Sequence, residues 1–267
     1  MKLLFSEATP DYQHYTFPYA IWAFPEHGET PADLFQAGFL PSTRDLTRFY
    51  LARQIRVPLA NFSPSSENRR VLRKCADLRM RLVPQSEFHL TPERLEFCQK
   101  YARSRFGEGV LSGERLESLF TAAVATHVLI FDHFETGAEA GYVVLYVEPP
   151  DVAFYYYSFY DLALFERNLG LFLMTSAVRA FAERGLRFLY LGTCYSERAL
   201  YKTQYQGCQF FNGVRWSSDL RELKFLVARQ ATHPAAHLLE DEQYLQSFYQ
   251  TGSSKVARDH GLRISTA

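Results

Sequence analysis

The sequence predicts a mixed α/β sheet covered by helices. Three observations point to it: strand-like apolar runs between positions 125 and 160, an amphipathic stretch from Leu169 to Arg184, and a short buried run, Phe188 to Leu191, directly after it. Strand, helix and strand in that order describe a sheet with a helical crossover.

The elements follow in chain order. Thr30-Pro31 ahead of Ala32 to Ala37 reads as a short helix with a capping Thr, a Pro at its first position and Gly38 past its end. Ile55 and Val57 alternate with Gln54 and Arg56, so 53–62 is expected to be a strand. Pro64-Ser65-Ser66-Glu67-Asn68 forms a turn or helix cap, and Arg69, Arg70, Arg73, Lys74, Arg79 and Arg81 crowd the segment behind it. A helix starts at Thr91-Pro92-Glu93, carries Leu95, Cys98 and Tyr101, and ends near Gly107. Another follows Ser112 with Leu116, Leu119 and Phe120. Strands are expected over 125–131, 141–147 and 152–160, with a turn at Gly137. Gly185 closes the helix 169–184, and 188–191 returns as a strand. A helix over 196–206 then ends before Gly207, and Phe210-Phe211 opens a last strand. Positions 220–267 are polar and helix-prone, broken at Thr232 to His237. The expected division is 1–85, an N-terminal region with the basic segment; 86–218, the main α/β domain; and 219–267, a helical appendage.

Composition narrows the function. Of 267 residues, 47% are apolar and 16% aromatic, enough to bury a sizeable core. Lys plus Arg and Asp plus Glu are both 29, which excludes a globally basic nucleic-acid binder but leaves room for a local basic patch. The start of the chain lacks a basic stretch followed by an apolar run, so no secretory signal is expected. The apolar stretch 159–182 is broken by Asp161, Glu166, Arg167 and Arg179, and no membrane span is expected. A soluble, cytoplasmic protein is the expectation. Cys75, Cys98, Cys194 and Cys208 fit no zinc spacing. His127 and His133 lack a third ligand, and no metal is expected.

Strand pairs followed by helix, strand, helix and strand match the order of the GNAT acyltransferases, where a central helix presents its N-terminus to the acyl donor. A GNAT-like mixed sheet is therefore expected, with room for a smaller N-terminal half of the same kind. Such enzymes hold the coenzyme A pyrophosphate at an R/Q-x-x-G-x-G/A turn. Arg167-Asn168-Leu169-Gly170-Leu171-Phe172 keeps the Arg and the first Gly but ends in Phe, whose ring is expected to keep a pyrophosphate away. Gly170 equally serves helix packing, and no cofactor is expected.

Several segments together resemble the arginyl- and leucyl-tRNA–protein transferases. These are Ala37-Gly38-Phe39; Arg56-Val57-Pro58 through Pro64-Ser65, then Asn68-Arg69-Arg70; Tyr157-Ser158-Phe159-Tyr160-Asp161; Leu169-Gly170; Tyr190-Leu191-Gly192; and Tyr201-Lys202. Order and spacing hold from about Tyr19 to Trp216. The family's N-terminal cysteine cluster is missing: Leu46, Phe49 and Ala52 stand where three of those cysteines would fall. Leu162 replaces the Pro after Asp161, and Asn168 and Leu171 replace the Ser and Thr around Leu169-Gly170.

The resemblance implies transfer of arginine or leucine from aminoacyl-tRNA to a protein α-amine, acidic N-termini being the family's acceptors, within N-degron protein turnover. An aminoacyl ester is already activated, and an α-amine with a pKa near 8 is roughly a tenth neutral at physiological pH. No catalytic triad is needed, because holding the two reactants in register supplies much of the acceleration. The resemblance implies Tyr201, Lys202 and Asp161 as candidate catalytic residues and Tyr157, Tyr160, Gly170, Tyr190 and Gly192 as candidate substrate contacts. Tyr157 could stack the terminal adenine, whereas Phe159 is expected in the core. Arg69, Arg70, Arg73 and Lys74 are the candidate contacts to tRNA phosphates. Two alternatives remain: a coenzyme-A-dependent GNAT N-acetyltransferase, and a non-catalytic homologue.

Overall fold

The computed structural model describes residues 1–7, 9–11, 13, 18–231 and 237–260. Four short strands come first, β1 (Lys2–Glu7), β2 (Tyr19–Phe24), β3 (Phe39–Pro41) and β4 (Phe49–Leu51), with helix α1 (Pro31–Gln36) between β2 and β3. They pair antiparallel in the order β1-β2-β4-β3. Sequence periodicity does not find this sheet, because β3 and β4 are 3 residues each and carry too little alternation. Helix α1 is capped as expected, the Thr30 N–H donating to Asp33 Oδ2 at 2.8 Å.

The other strands are β5 (Gln54–Pro58), β6 (Leu78–Pro84), β7 (His127–His133), β8 (Glu139–Glu148), β9 (Val152–Tyr160), β10 (Phe188–Thr193), β11 (Gln209–Phe211) and β12 (Trp216–Ser217). They form one 8-stranded sheet in the order β12-β11-β5-β10-β9-β8-β7-β6. The helices are α2 (Ser66–Lys74), α3 (Pro92–Phe106), α4 (Gly113–Thr121), α5 (Leu169–Glu183), α6 (Leu220–Ala231), α7 (Glu242–Phe248) and α8 (Ser253–His260). Neighbours in the large sheet are antiparallel except β9 and β10, which run parallel and are joined by α5. A meander followed by a helical crossover into a parallel strand is the GNAT-like mixed α/β arrangement the element order predicts.

One strand is new and two readings are corrected. The basic segment contains β6, where Arg79 and Arg81 alternate with Leu78, Met80 and Leu82; both arginines pair with the buried Asp132. The strand expected over 53–62 stops at Pro58, and the chain turns between Leu59 and Phe62. The helix expected over 196–206 is a 3-10 segment, Glu197–Thr203, whose Lys202 is held by the carbonyl of Thr193.

Alternation along the strands sorts the core into faces. Leu129 and Phe131 of β7 pack with α5, α2 and α6, while Val128 and Ile130 pack with Cys98 and Tyr101 of α3 and Leu116, Leu119 and Phe120 of α4. The N-terminal sheet and α1 cover Tyr146, Phe154 and Tyr190. Residues 232–236, most of the expected break, lie outside the described residues. The C-terminal helices α6 and α7 are tied to the sheet by a buried network: Glu222 accepts from Asn212 at 2.7 Å, Tyr244 at 2.6 Å and Ser217 at 2.5 Å. Replacing Glu222 by Ala takes the acceptor from the Tyr244 and Ser217 hydroxyls, while Asn212 keeps Tyr249 at 2.7 Å, so urea unfolding should show a loss of about 3 kcal/mol. A loss under about 1 kcal/mol would mean that the network is not what anchors the appendage.

Candidate active site

The parallel pairing of β9 and β10 is short. Val152, Ala153 and Phe154 face Phe188, Leu189 and Tyr190, and the ladder ends there. Beyond it β10 shifts register against β5 between Tyr190 and Thr193, around Gly192 at φ +74°, a backbone conformation that side chains resist. Strand β9 carries its own irregularity: Val144 faces Tyr157 while Leu145 faces Tyr155, leaving Tyr156 as an extra residue. The bulge flips the alternation, so Ala153 and Tyr155 pack toward α5 while Tyr157 and Phe159 pack toward α3 and α4. The two strands therefore fork.

Two adjoining cavities occupy the fork. The larger, about 530 Å³, is bounded by Tyr155 to Ser158 of β9, Leu191 to Thr193 of β10, Tyr201 and Lys202, with Leu40, Pro41 and Tyr50 of the N-terminal sheet opposite. The smaller, about 180 Å³, runs to the start of α5 between Tyr160, Asn168 to Leu171 and Met174. Tyr101, Tyr155, Ser158, Met174 and Tyr201 border both. Among the described residues lining them, Lys202 is the one charged side chain. Its ammonium donates to the Thr193 carbonyl at 2.9 Å, and burial lowers its pKa. Tyr201 is half exposed at the cleft, and the partial desolvation it meets there raises its pKa, so its hydroxyl stays protonated and able to donate.

Tyr157, Tyr160, Gly170, Gly192, Tyr201 and Lys202 are thus brought together, although they come from four separate elements. Gly170 has a specific reason to be glycine. A Cβ there would lie 2.8 Å from the Tyr160 hydroxyl, whose ring rests on the first turn of α5. The ring expected to exclude pyrophosphate is not the one that covers this helix end: Phe172 is buried, edge-on to Phe131 with centroids 5.7 Å apart. Arg167 is committed elsewhere, pairing with Asp77 and donating to the Lys74 carbonyl.

The other candidates lie outside the two cavities. Asp161 accepts from the Ala163 N–H at 2.9 Å and borders a separate pocket with Lys100 and Glu139. Tyr190 is fully buried against Phe35 and Trp216 beneath the fork. Phe159 is in the core. Arg69, Arg73 and Lys74 are exposed on α2, and Arg70 pairs with Glu67. Helix α2 lines neither cavity; it touches the segments beside them, Asn68 reaching Gln204 just past the 3-10 segment at 3.4 Å and Lys74 reaching the Glu166 carbonyl ahead of α5 at 3.4 Å. Among the described residues no group of three or more His, Cys, Asp or Glu is placed to hold a metal, and no helix is long and apolar enough to cross a membrane.

Sequence reasoning did not select Tyr50, Tyr101, Tyr155, Ser158, Leu171 or Met174 as site residues. Tyr101 and Met174 sit at core spacing on their helices, and nothing in the local pattern around Tyr155 announces the bulge.

A fork beside a crossover helix thus holds a single cation in an aromatic cleft. No family model matches the chain. It is 28% identical over 167 residues to an aspartate/glutamate leucyltransferase of Gluconacetobacter diazotrophicus, covering 61% of this chain and 63% of that protein. It is 28% identical over 195 residues to the protein of the same name from Pseudomonas fluorescens, covering 69% of this chain and 81% of that one. The match therefore spans less than two thirds of the Gluconacetobacter relative. Among solved structures, FemX is similar at a TM-score of 0.42 and 9% identity, over 61% of this chain and 59% of that one. L-PGS from Bacillus licheniformis is similar at 0.40 and 14%, over 54% and 46%. The resemblance to the aminoacyl-tRNA–protein transferases is borne out at the level of sequence relatives.

The contact at the α5 start is open to test. Gly170→Ala should cost about 1–3 kcal/mol in thermal or urea unfolding. Tyr160→Phe, which removes the nearest atom, should recover part of that loss in the double variant. An unaffected Gly170→Ala protein would mean that Tyr160 does not rest on this turn.

Proposed function

We propose that this chain transfers leucine from charged tRNA to the α-amine of proteins that begin with an acidic residue, and that it works in the cytoplasm, where the product enters N-degron turnover. The observation that carries the reading is the single cation, Lys202, in an otherwise neutral aromatic cleft. A lysine whose desolvation is only partly offset by one carbonyl gains from an incoming carboxylate, which makes it a receptor for an acceptor's Asp or Glu side chain. The cleft offers no carboxylate to a transferred arginine, which favours leucine between the family's two amino acids. The name those relatives carry, aspartate/glutamate leucyltransferase, agrees with both halves of this reading.

In this scheme Tyr157 and Tyr50 offer flat surfaces for the terminal adenine. Tyr201 donates to the ester carbonyl as negative charge develops on it. The neutral fraction of the acceptor amine attacks, the carbon–nitrogen bond forms, and the ribose oxygen departs with the proton that the nitrogen gives up. The exposed Arg69, Arg73 and Lys74 attract phosphates further along the acceptor stem. Coenzyme A chemistry is disfavoured, because Tyr160 covers the α5 start and Arg167 is held by Asp77.

The test is charge-specific. With leucyl-tRNA as donor, Lys202→Met should lower kcat/KM for an Asp-starting peptide by about 30-fold or more, matching a lost desolvated charge pair of about 2–5 kcal/mol. An Asn-starting peptide should change little. Equal losses for both peptides, or no transfer by the wild type, would refute the reading. For the tRNA contacts, Arg69→Ala and Arg73→Ala should each weaken tRNA binding and reduce the slope of log affinity against log salt by about 1. An unchanged slope would remove α2 from the interface.

A further inference from the structure

The two cavities differ in a way that assigns them different tasks. The smaller is bordered by Tyr101, Tyr155, Tyr160, Leu171 and Met174, with the backbone of Asn168 to Gly170 at its end. Tyr160 closes that end, its hydroxyl resting on Gly170 and its ring edge-on to Tyr101 with centroids 4.8 Å apart. Among its described lining residues none carries a charge. The larger cavity holds Lys202 and opens past the N-terminal sheet. Three groups must meet at the reacting carbonyl: the terminal ribose, the acceptor amine and the side chain of the amino acid being moved. The cavity of about 180 Å³, uncharged and bordered by Leu171 and Met174, suits a small, uncharged group, and of the three that is the side chain.

Resting on the transferase reading above, we infer that the smaller cavity receives the side chain of the transferred amino acid, that it admits neutral aliphatic chains, and that Met174 and Leu171 set their size. The scissile ester then lies at the junction bordered by Tyr155, Ser158, Met174 and Tyr201. The side chain takes no part in the bond changes; the carbon–nitrogen bond forms and the carbon–oxygen bond to ribose breaks beside it. An arginine side chain would bring a guanidinium into a cavity with no carboxylate to meet it. A phenyl ring would press on Met174, which is almost fully buried, and on Leu171, which is not. Small differences in size are read by packing, at about 10- to 200-fold per methylene.

The experiment competes leucyl-, phenylalanyl- and arginyl-tRNA for the full chain, both in filter binding and in transfer to an Asp-starting peptide. The wild type should favour leucyl- over phenylalanyl-tRNA by about tenfold or more, with arginyl-tRNA last. Met174→Ala and Leu171→Ala should each move the leucyl-to-phenylalanyl ratio about tenfold toward phenylalanine. A ratio is insensitive to the fraction of variant that folds, and Leu171, being partly exposed, provides the milder substitution. Arginyl-tRNA bound as well as leucyl-tRNA, or a ratio unchanged in both variants, overturns this assignment alone. Failure of every charged tRNA to bind overturns the transferase reading and this inference with it.

Discussion

The arrangement depends on one constraint, the early end of hydrogen bonding between β9 and β10. Parallel strands in mid-sheet normally stay paired, because buried N–H and C=O groups need partners. Here pairing stops at Phe154 and Tyr190, and two local irregularities make the stop possible. Gly192 sits in a left-handed backbone where β10 shifts register, and the extra residue Tyr156 shifts the register of β9 against β8. Thr193 is then satisfied by pairing with β5 and by the Lys202 ammonium, so part of what the fork unpairs is paired again by the 3-10 segment that follows.

Everything around the fork either props it open or lines it. Below it, the Arg56 guanidinium lies between Trp216 and Phe188, 3.8 and 4.0 Å from their ring centroids, and its Nε donates to Gln209 at 2.8 Å. That stack joins β5, β10, β11 and β12 where the β9–β10 ladder is still intact. Above it, α5 is anchored at its start by Arg167, which ties α5 to the end of α2 and to Asp77. These contacts flank the cleft on both sides, and among its described lining residues Lys202 carries the one charge. A positioned cation and aromatic surfaces suit a reaction whose donor is already activated and whose nucleophile arrives with the substrate.

Legibility followed distance along the chain. Tyr157, Tyr160, Gly170, Gly192, Tyr201 and Lys202 were readable as site candidates through resemblance, and the structure gathers them at one cleft. Tyr190 had the same kind of signal yet lies in the core, since local motif matching does not say which face of a strand a residue takes. Tyr155 and Ser158 went unread for the opposite reason, their orientation depending on a bulge defined only by register against β8. Phe172 shows the same limit on a helix, its position in a turn motif being correct while its ring points into the core.

By itself the sequence determined the periodic features: the capped helices, the β7 to β9 meander, the crossover through α5, and the balance of charge that rules out a wholly basic surface. These depend on interactions within a few residues or on burial averaged over a face, and both are written in local order. Only the tertiary structure decided where β9 and β10 part, which tyrosines face the gap, and that Lys202 stands without a charged neighbour in it. Those outcomes come from pairing and packing among segments over a hundred residues apart, such as Tyr50 and Lys202, which no local pattern encodes.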